Sequence, residues 1–288
     1  MAQAVIQPYM PCKRSRRDEW VRLLETGATT GIAGMLGPLL PLEWMLRRGL
    51  AEAERRGQGF FVPASYVLSR FSDRLLMEIP AAAIKLRLAD WISGGGSRLH
   101  IDTRFIGAGD WSGISSRVMD SPVAREAHEI FAHGLDYRLT PAYARYLERA
   151  EKGNPVRRNN MVLSCRELVA SYFERFVDLF RSIQTHGVLG RKEHCRYADL
   201  SRPSSRRRLR AEWGEKEIGI AFGRDGQIYR LPGGQHRAAI AIVLGVDLLP
   251  VQVRLVHSEW ALKRLEEHGG KLSNAILRGI RRRAKDTF

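Results

Sequence analysis

Gly233-Gly234-Gln235-His236-Arg237 gathers in five positions the residue types that hold phosphate. The stretch follows a strand-like run, Gln227 to Leu231, and opens a helix-like run, Ala238 to Leu244, that Gly245 ends. Two glycines at a strand-to-helix junction let the backbone approach a ligand closely. A new helix N-terminus offers N–H groups without intrahelical partners and the positive end of the helix dipole. His236 and Arg237 add side-chain donors there, and a guanidinium matches phosphate oxygens bidentately. The stretch reads as a phosphate-binding turn.

Phosphoryl transfer also needs charge neutralisation and a positioned base. Arg237 and His236 would supply the first, together with Mg²⁺. Carboxylates near the turn are the candidates for the base: Asp178, on a helix face shared with Ser182, and Glu217, which with Glu215 precedes a strand. Each also reads as an ordinary surface charge. No Walker A pattern and no Ser-His-Asp arrangement is readable. His194 beside Cys195 has no further ligand at metal spacing. His257 and Trp260, Asp110-Trp111 and Asp136-Tyr137-Arg138 could line a pocket, but capping of the sheet is the preferred reading of the first pair and ring burial alone explains the others.

The elements that must position these groups are read from periodicity and punctuation. Leu42 to Arg56 reads as a helix, with Leu46, Leu50 and Ala53 on one face and Gly57 as its stop. Phe60-Phe61-Val62 reads as a short strand, and Ser72 to Ile92 as helical with a break at Pro80. Gly94-Gly95-Gly96-Ser97 is a candidate boundary. Ser121-Pro122 and Thr140-Pro141 start two helices, ended by Gly134 and Gly153. The clearest helix runs from Cys165 to His186, with a capping-box pattern at Ser164 and Glu167, and Gly187 beyond its end. Its apolar stripe includes Val169, Tyr172, Phe173, Phe176 and Phe180, while Arg175, Asp178 and Ser182 lie on the other side. A strand, Glu217 to Phe222, and the turn Gly223-Arg224-Asp225-Gly226 form a hairpin with the strand before the glycine turn. Val251 to Val256 alternates as a strand, and Arg278 to Lys285 is a basic, helical end.

The chain has 288 residues, an ordinary apolar content and a net charge of +16. That charge favours polyanionic partners, whether nucleotide, nucleic acid or an anionic membrane surface. The basic insertion 190–213 and the basic tail 261–288 could track phosphates, with few aromatic residues among them. Three separated cysteines without a CxxC pair suggest neither a disulfide framework nor a zinc site, and a reducing, cytoplasmic setting fits. No signal peptide with a recognisable cleavage region is readable. Ala28 to Leu42 is uncharged but shorter than the roughly 20 residues a spanning helix needs. It reads as a buried loop or short helix, with shallow peripheral membrane contact as the alternative.

Two stretches resemble the ParB/sulfiredoxin superfamily. Leu179 to Gly187 is similar to its L-x-x-S-I-x-x-x-G helix end, and Gly226 to Val253 to its glycine-turn, helix and Pro-Val-x-Val core. The resemblance covers about residues 164–257. It implies a ParB/sulfiredoxin-like nucleotide-binding α/β domain, 161–260; with the helix signals before it, the chain reads as an α+β protein whose region 1–160 is mostly helical. It also implies that Gly233, Gly234, Gln235, His236 and Arg237, with Arg175 and Ser182 of the preceding helix, hold the phosphates of ATP or another nucleoside triphosphate. Sulfiredoxin chemistry requires a cysteine where this chain has Gln235, and about thirty residues after Val256 are too few for a DNA-reading domain of partition ParB. The remaining branch is a kinase-like phosphotransferase acting on a small molecule or glycan, with Asp178, Glu217 and His236 as candidate catalytic groups. The alternative is a non-enzymatic nucleotide- or nucleic-acid-binding protein.

Overall fold

The computed structural model describes residues 41–94, 97–158, 161–190 and 217–286. Most of the uncharged segment Ala28 to Leu42, nearly all of the basic insertion, Glu215 and the His194-Cys195 pair lie outside the described residues. The chain forms α1 (Leu42–Arg56), β1 (Gly59–Pro63), α2 (Ala64–Phe71), β2 (Leu76–Ile79), β3 (Leu86–Leu88), β4 (Trp91–Gly94) and β5 (Ser97–His100). There follow β6 (Arg104–Ala108), β7 (Ser115–Arg117), α3 (Pro122–Ala132), α4 (Pro141–Glu151), β8 (Val156–Arg158), β9 (Met161–Leu163) and α5 (Arg166–His186). The last part holds β10 (Ile218–Phe222), β11 (Ile228–Arg230), α6 (Gln235–Leu244), β12 (Leu249–His257), α7 (Ser258–His268) and α8 (Leu272–Asp286).

The protein is α+β, built on one mixed eight-stranded sheet in the order β1-β6-β12-β10-β11-β3-β7, with β2 also paired to β12. β12 is the hub because it is long enough to serve several partners. Its first half pairs antiparallel with β2, its end pairs parallel with β6, and β10 runs parallel beside it. Strands from both sides of residue 160 share this sheet, so the expected boundary there separates no two sheets. Among the described residues of the first region, 59–117 supply seven strands beside the helices.

The helix expected over Ser72 to Ile92 is replaced by two short 3₁₀ turns, β2, β3 and the start of β4. Met77 and Ile79 are buried while Leu76 and Glu78 are exposed, the two-residue period of a strand laid against β12. The candidate boundary at 94–97 falls where β4 and β5 pair antiparallel, with Gly94 opposite Ser97. Other local signals act as expected. Ser121 and Thr140 cap α3 and α4 ahead of Pro122 and Pro141, and Gly57 ends α1 in the left-handed region at φ 67°. The N-cap of α5 is Cys165, one residue after the expected Ser164, and makes no side-chain capping bond.

The two sheet faces have different covers. Ile218, Ile220, Phe222 and Ile228 join the main core with Ala238 to Ala241 of α6 and with Phe173 and Phe176 of α5. Ala221, Tyr229, Leu231 and Leu255 join a smaller cluster around Trp111 on the other face. This alternation puts the side chain of Arg230, two positions after Ile228, on the face that α6 covers. Among the described residues no helix is long and apolar enough to cross a membrane.

Candidate functional site

The glycine turn sits between β11 and α6. Gly233 and Gly234 have φ of 98° and 63°, backbone that side-chain-bearing residues rarely adopt. A Cβ on Gly234 would also meet Ile218 Cγ1 at 2.7 Å and its Cα at 3.0 Å, so the turn presses directly on β10. Arg254, wholly buried, fastens it from beneath. Its guanidinium donates to the carbonyls of Pro232 and Glu217 and to Gln252 Oε1, and faces Asp102 at 3.6 Å. Burial pulls Arg254 down to about 10 against the opposing charges of Asp102 and Glu217, so it stays a cation at neutral pH. The guanidinium lies over Gly219, where a Cβ would meet it at 3.1 to 3.2 Å. A β-bulge in β12, between its pairings with Ile220 and Ala221, accommodates this side chain.

Gly234 is the N-cap of α6, and no side chain caps that helix. The first-turn N–H groups therefore keep their capacity to bind an anion. Arg230 lies close by and is only 2% exposed. Its Nη1 donates to the Leu231 carbonyl at 2.9 Å. Among the described residues it forms no ion pair with a carboxylate. Burial first, then the cross-strand neighbour Arg87, pull Arg230 down to about 10, with only Asp90 opposing them. Arg237, the second arginine of the turn, faces Glu217 at 3.6 Å and donates to the Leu189 carbonyl at 3.3 Å. It thus ties the segment after α5 and the start of β10 to α6.

His236 points away from the role of a charged phosphate donor. Its Nε2 lies 3.2 Å from the Tyr172 hydroxyl, and its ring packs edge-on to Phe176 at 4.9 Å. The Tyr172 hydroxyl donates its one hydrogen to Glu126 Oε2 at 2.6 Å. Glu126 is buried on α3, and its other oxygen accepts from the Tyr146 hydroxyl of α4 and from Arg158 Nη2 of β8, the latter at 2.9 Å. Burial, then the charge of Glu126, push both tyrosine hydroxyls well above their usual range. Burial lowers Arg158, but Glu126 outweighs it and holds the guanidinium above its ordinary value. His236 goes the other way, down to about 4: burial disfavours its charged form, Arg158 and Arg230 add to that, and Glu126 only partly opposes them.

The remaining expected residues lie apart from this cluster. Arg175 is exposed on α5 and contacts Met161 Sδ at 3.9 Å, and no hydrogen bond joins Arg175 or Ser182 to the turn. Asp178 is exposed, 3.8 Å from Arg181, and lines an open cavity of about 360 Å³ with Asp136, Tyr137, Arg138 and Glu174. On α5 it stands two residues from Phe176, which turns it away from His236. Glu217 does sit at the turn, paired with Arg237, and Gln235 is the first residue of α6. His257 accepts from the Glu259 N–H and bonds the Gly109 carbonyl at 2.9 Å, while Trp260 stacks on Phe222. Both close the end of β12. Among the described residues no group of three His, Cys, Asp or Glu is arranged to hold a metal ion.

Sequence reasoning missed Glu126, Tyr146, Arg158, Tyr172, Arg230 and Arg254. Two of them carried a signal. Glu126 falls among Val123, Ala127 and Ile130 on the buried face of α3, and Arg230 follows Ile228 on the inward side of β11. A charge on an apolar face marks a buried polar contact. No family model, curated protein or solved structure matches the chain.

Proposed function

We propose that the turn at Gly233–Arg237 binds the phosphates of a nucleoside triphosphate, and that the protein is a nucleotide-dependent phosphotransferase related to the ParB/sulfiredoxin superfamily. The order α5, β10–β11 hairpin, glycine turn, α6 and parallel β12 is compatible with that relationship. The observation that carries the reading is Arg230, a buried cation on the α6 side of the sheet beside an uncapped helix N-terminus. A buried cation that makes no carboxylate ion pair among the described residues and is opposed only by the charge of Asp90 is expensive, and a phosphate group would relieve it. The α6 N–H groups and Arg230 would hold the phosphates, with Arg237 joining by exchanging its pairing with Glu217. Mg²⁺ would arrive with the nucleotide and neutralise its charge during transfer. The acceptor would be a hydroxyl-bearing small molecule or glycan.

Nucleoside triphosphate with Mg²⁺ should raise the melting temperature of the wild type, because a ligand that binds only the folded state stabilises it by mass action. Arg230→Gln should lose that shift while remaining folded. Absence of a shift with every nucleotide at millimolar concentration would remove the reading.

A second reading is supported by α8. Arg278, Arg281 and Arg282 are exposed on one side of the helix, at spacings that follow a single face. This row would suit a nucleic-acid backbone. Binding of that kind weakens steeply with salt and needs no Mg²⁺ or acceptor.

A further inference from the structure

We propose that Glu126, acting through Tyr172, fixes His236 as a neutral ring protonated on Nε2, leaving Nδ1 to accept a hydrogen bond from a ligand hydroxyl and not to contact phosphate. A tyrosine hydroxyl has one hydrogen, and Tyr172 commits it to the Glu126 carboxylate at 2.6 Å. Towards His236 the same oxygen can only accept. The 3.2 Å contact therefore requires the hydrogen on Nε2, and the neutral ring then has its lone pair on Nδ1.

The surroundings keep the ring neutral. The groups facing it are Tyr172 and Phe176 from α5, Glu126 from α3, Arg158 from β8 and Arg230 from β11. Two of these are cations, and the one carboxylate is shared with Tyr146 and Arg158. Arg158 also donates to the Tyr146 hydroxyl, so the chain from Arg158 through Glu126 and Tyr172 to His236 is closed at its far end. Glu126 and Tyr172 are positioning residues in this scheme, because they act through the imidazole.

The consequence for the ligand rests on the phosphate reading of the turn. An acceptor nitrogen faces phosphate oxygens, which are also acceptors, unfavourably. Phosphate would be held by the α6 N–H groups and the arginines, while Nδ1 selects a hydroxyl. That hydroxyl belongs either to the nucleotide ribose or to the phosphoryl acceptor.

The test has two independent arms. In the first, ¹⁵N NMR of the histidine-labelled full chain reads the ring directly. Wild-type His236 is expected to carry hydrogen on Nε2 only and to stay neutral down to about pH 5.5, a unit below an unperturbed imidazole. Tyr172→Phe should convert that signal to a mixture of tautomers. A wild-type ring protonated on Nδ1, or one that titrates near 6.5, overturns the proposal whether or not the variant folds. In the second arm, binding of inorganic triphosphate and of ATP is compared in wild type and His236→Phe. Triphosphate affinity should be unchanged, and a loss of about tenfold, the size of one hydrogen bond, would make His236 a phosphate ligand and end the proposal. A similar loss confined to ATP assigns the hydroxyl to ribose; equal ATP binding assigns it to the acceptor. If neither polyphosphate binds, the phosphate reading fails, while the NMR arm still decides the state of the ring.

Discussion

Arg254 shows how much one side chain can carry. It holds the carbonyls of Pro232 and Glu217 and faces the buried Asp102. Arg254→Met would take a partner from each of the three, and breaking a buried pair this way costs about 3–5 kcal/mol. Urea denaturation of the variant should show a loss of that size. Gly234→Ala should destabilise by more than about 1 kcal/mol, since it combines a left-handed backbone with a Cβ pressed on Ile218. His236 makes a prediction about pH. Its folded value, about 4, is below the ordinary 6.5, so between these the unfolded chain binds the proton more tightly. Its contribution is fully present above 6.5 and is lost as pH falls toward 4. Urea midpoints measured across that window should fall more steeply for wild type than for His236→Phe, with the carboxylates and His257 common to both. The turn residues were legible in sequence because backbone freedom and donors are local properties. Tyr172 was legible only as a member of an apolar stripe, because nothing in the spacing tells a hydroxyl where its partner is.

At the scale of elements, short strands were hard to read and capped helices easy. α3 and α4 announce themselves through Ser121-Pro122 and Thr140-Pro141, local devices that act within one turn. β2 had no such signal, and its strand character comes from pairing with β12, 170 or more residues away in the chain. α8 shows a long-range cap of the same kind. Glu43 of α1 accepts from the Leu272 N–H at 2.7 Å, the Ser273 N–H at 3.0 Å and the Ser273 hydroxyl at 2.9 Å. Burial raises this carboxyl, but these bonds and Arg47 outweigh it and hold Glu43 below 4.5. Its stabilising effect is therefore present above 4.5 and is lost as pH falls through the lowered folded value. Glu43→Gln should cost about 1 kcal/mol, as removal of a helix cap does, and should speed amide exchange first at the start of α8.

For the whole molecule, the interleaved sheet governs behaviour. β12 draws partners from β2 and β6, and β11 from β3, so residues 161–288 alone would leave both with open ladder positions. That fragment should lack the near-ultraviolet circular dichroism of the full chain and unfold without a cooperative transition. A fragment that unfolds cooperatively would mean that the shared sheet is dispensable. The net charge of +16 acts at this scale too, attracting polyanions without selecting among them. If nucleic acid is the partner, neutralising Arg278, Arg281 and Arg282 together should lower the slope of log affinity against log salt by about 3, since each phosphate that an arginine neutralises adds about 0.9.

The sequence by itself determined the glycine turn, the helix that follows it, the hairpin before it and the capped helices α3 and α4. Each depends on residues within one or two turns of each other, where backbone sterics and side-chain caps act directly. Only the tertiary structure decided that Glu126, Tyr146, Arg158 and Tyr172 form a network that reaches His236, that Arg230 is buried on the α6 side of the sheet, and that Asp178 faces elsewhere. Those outcomes depend on how separate elements pack, because a polar group's charge and proton are set by the neighbours that replace its water. The same turn that reads as two side-chain donors in sequence becomes, once folded, one tethered cation and one neutral acceptor.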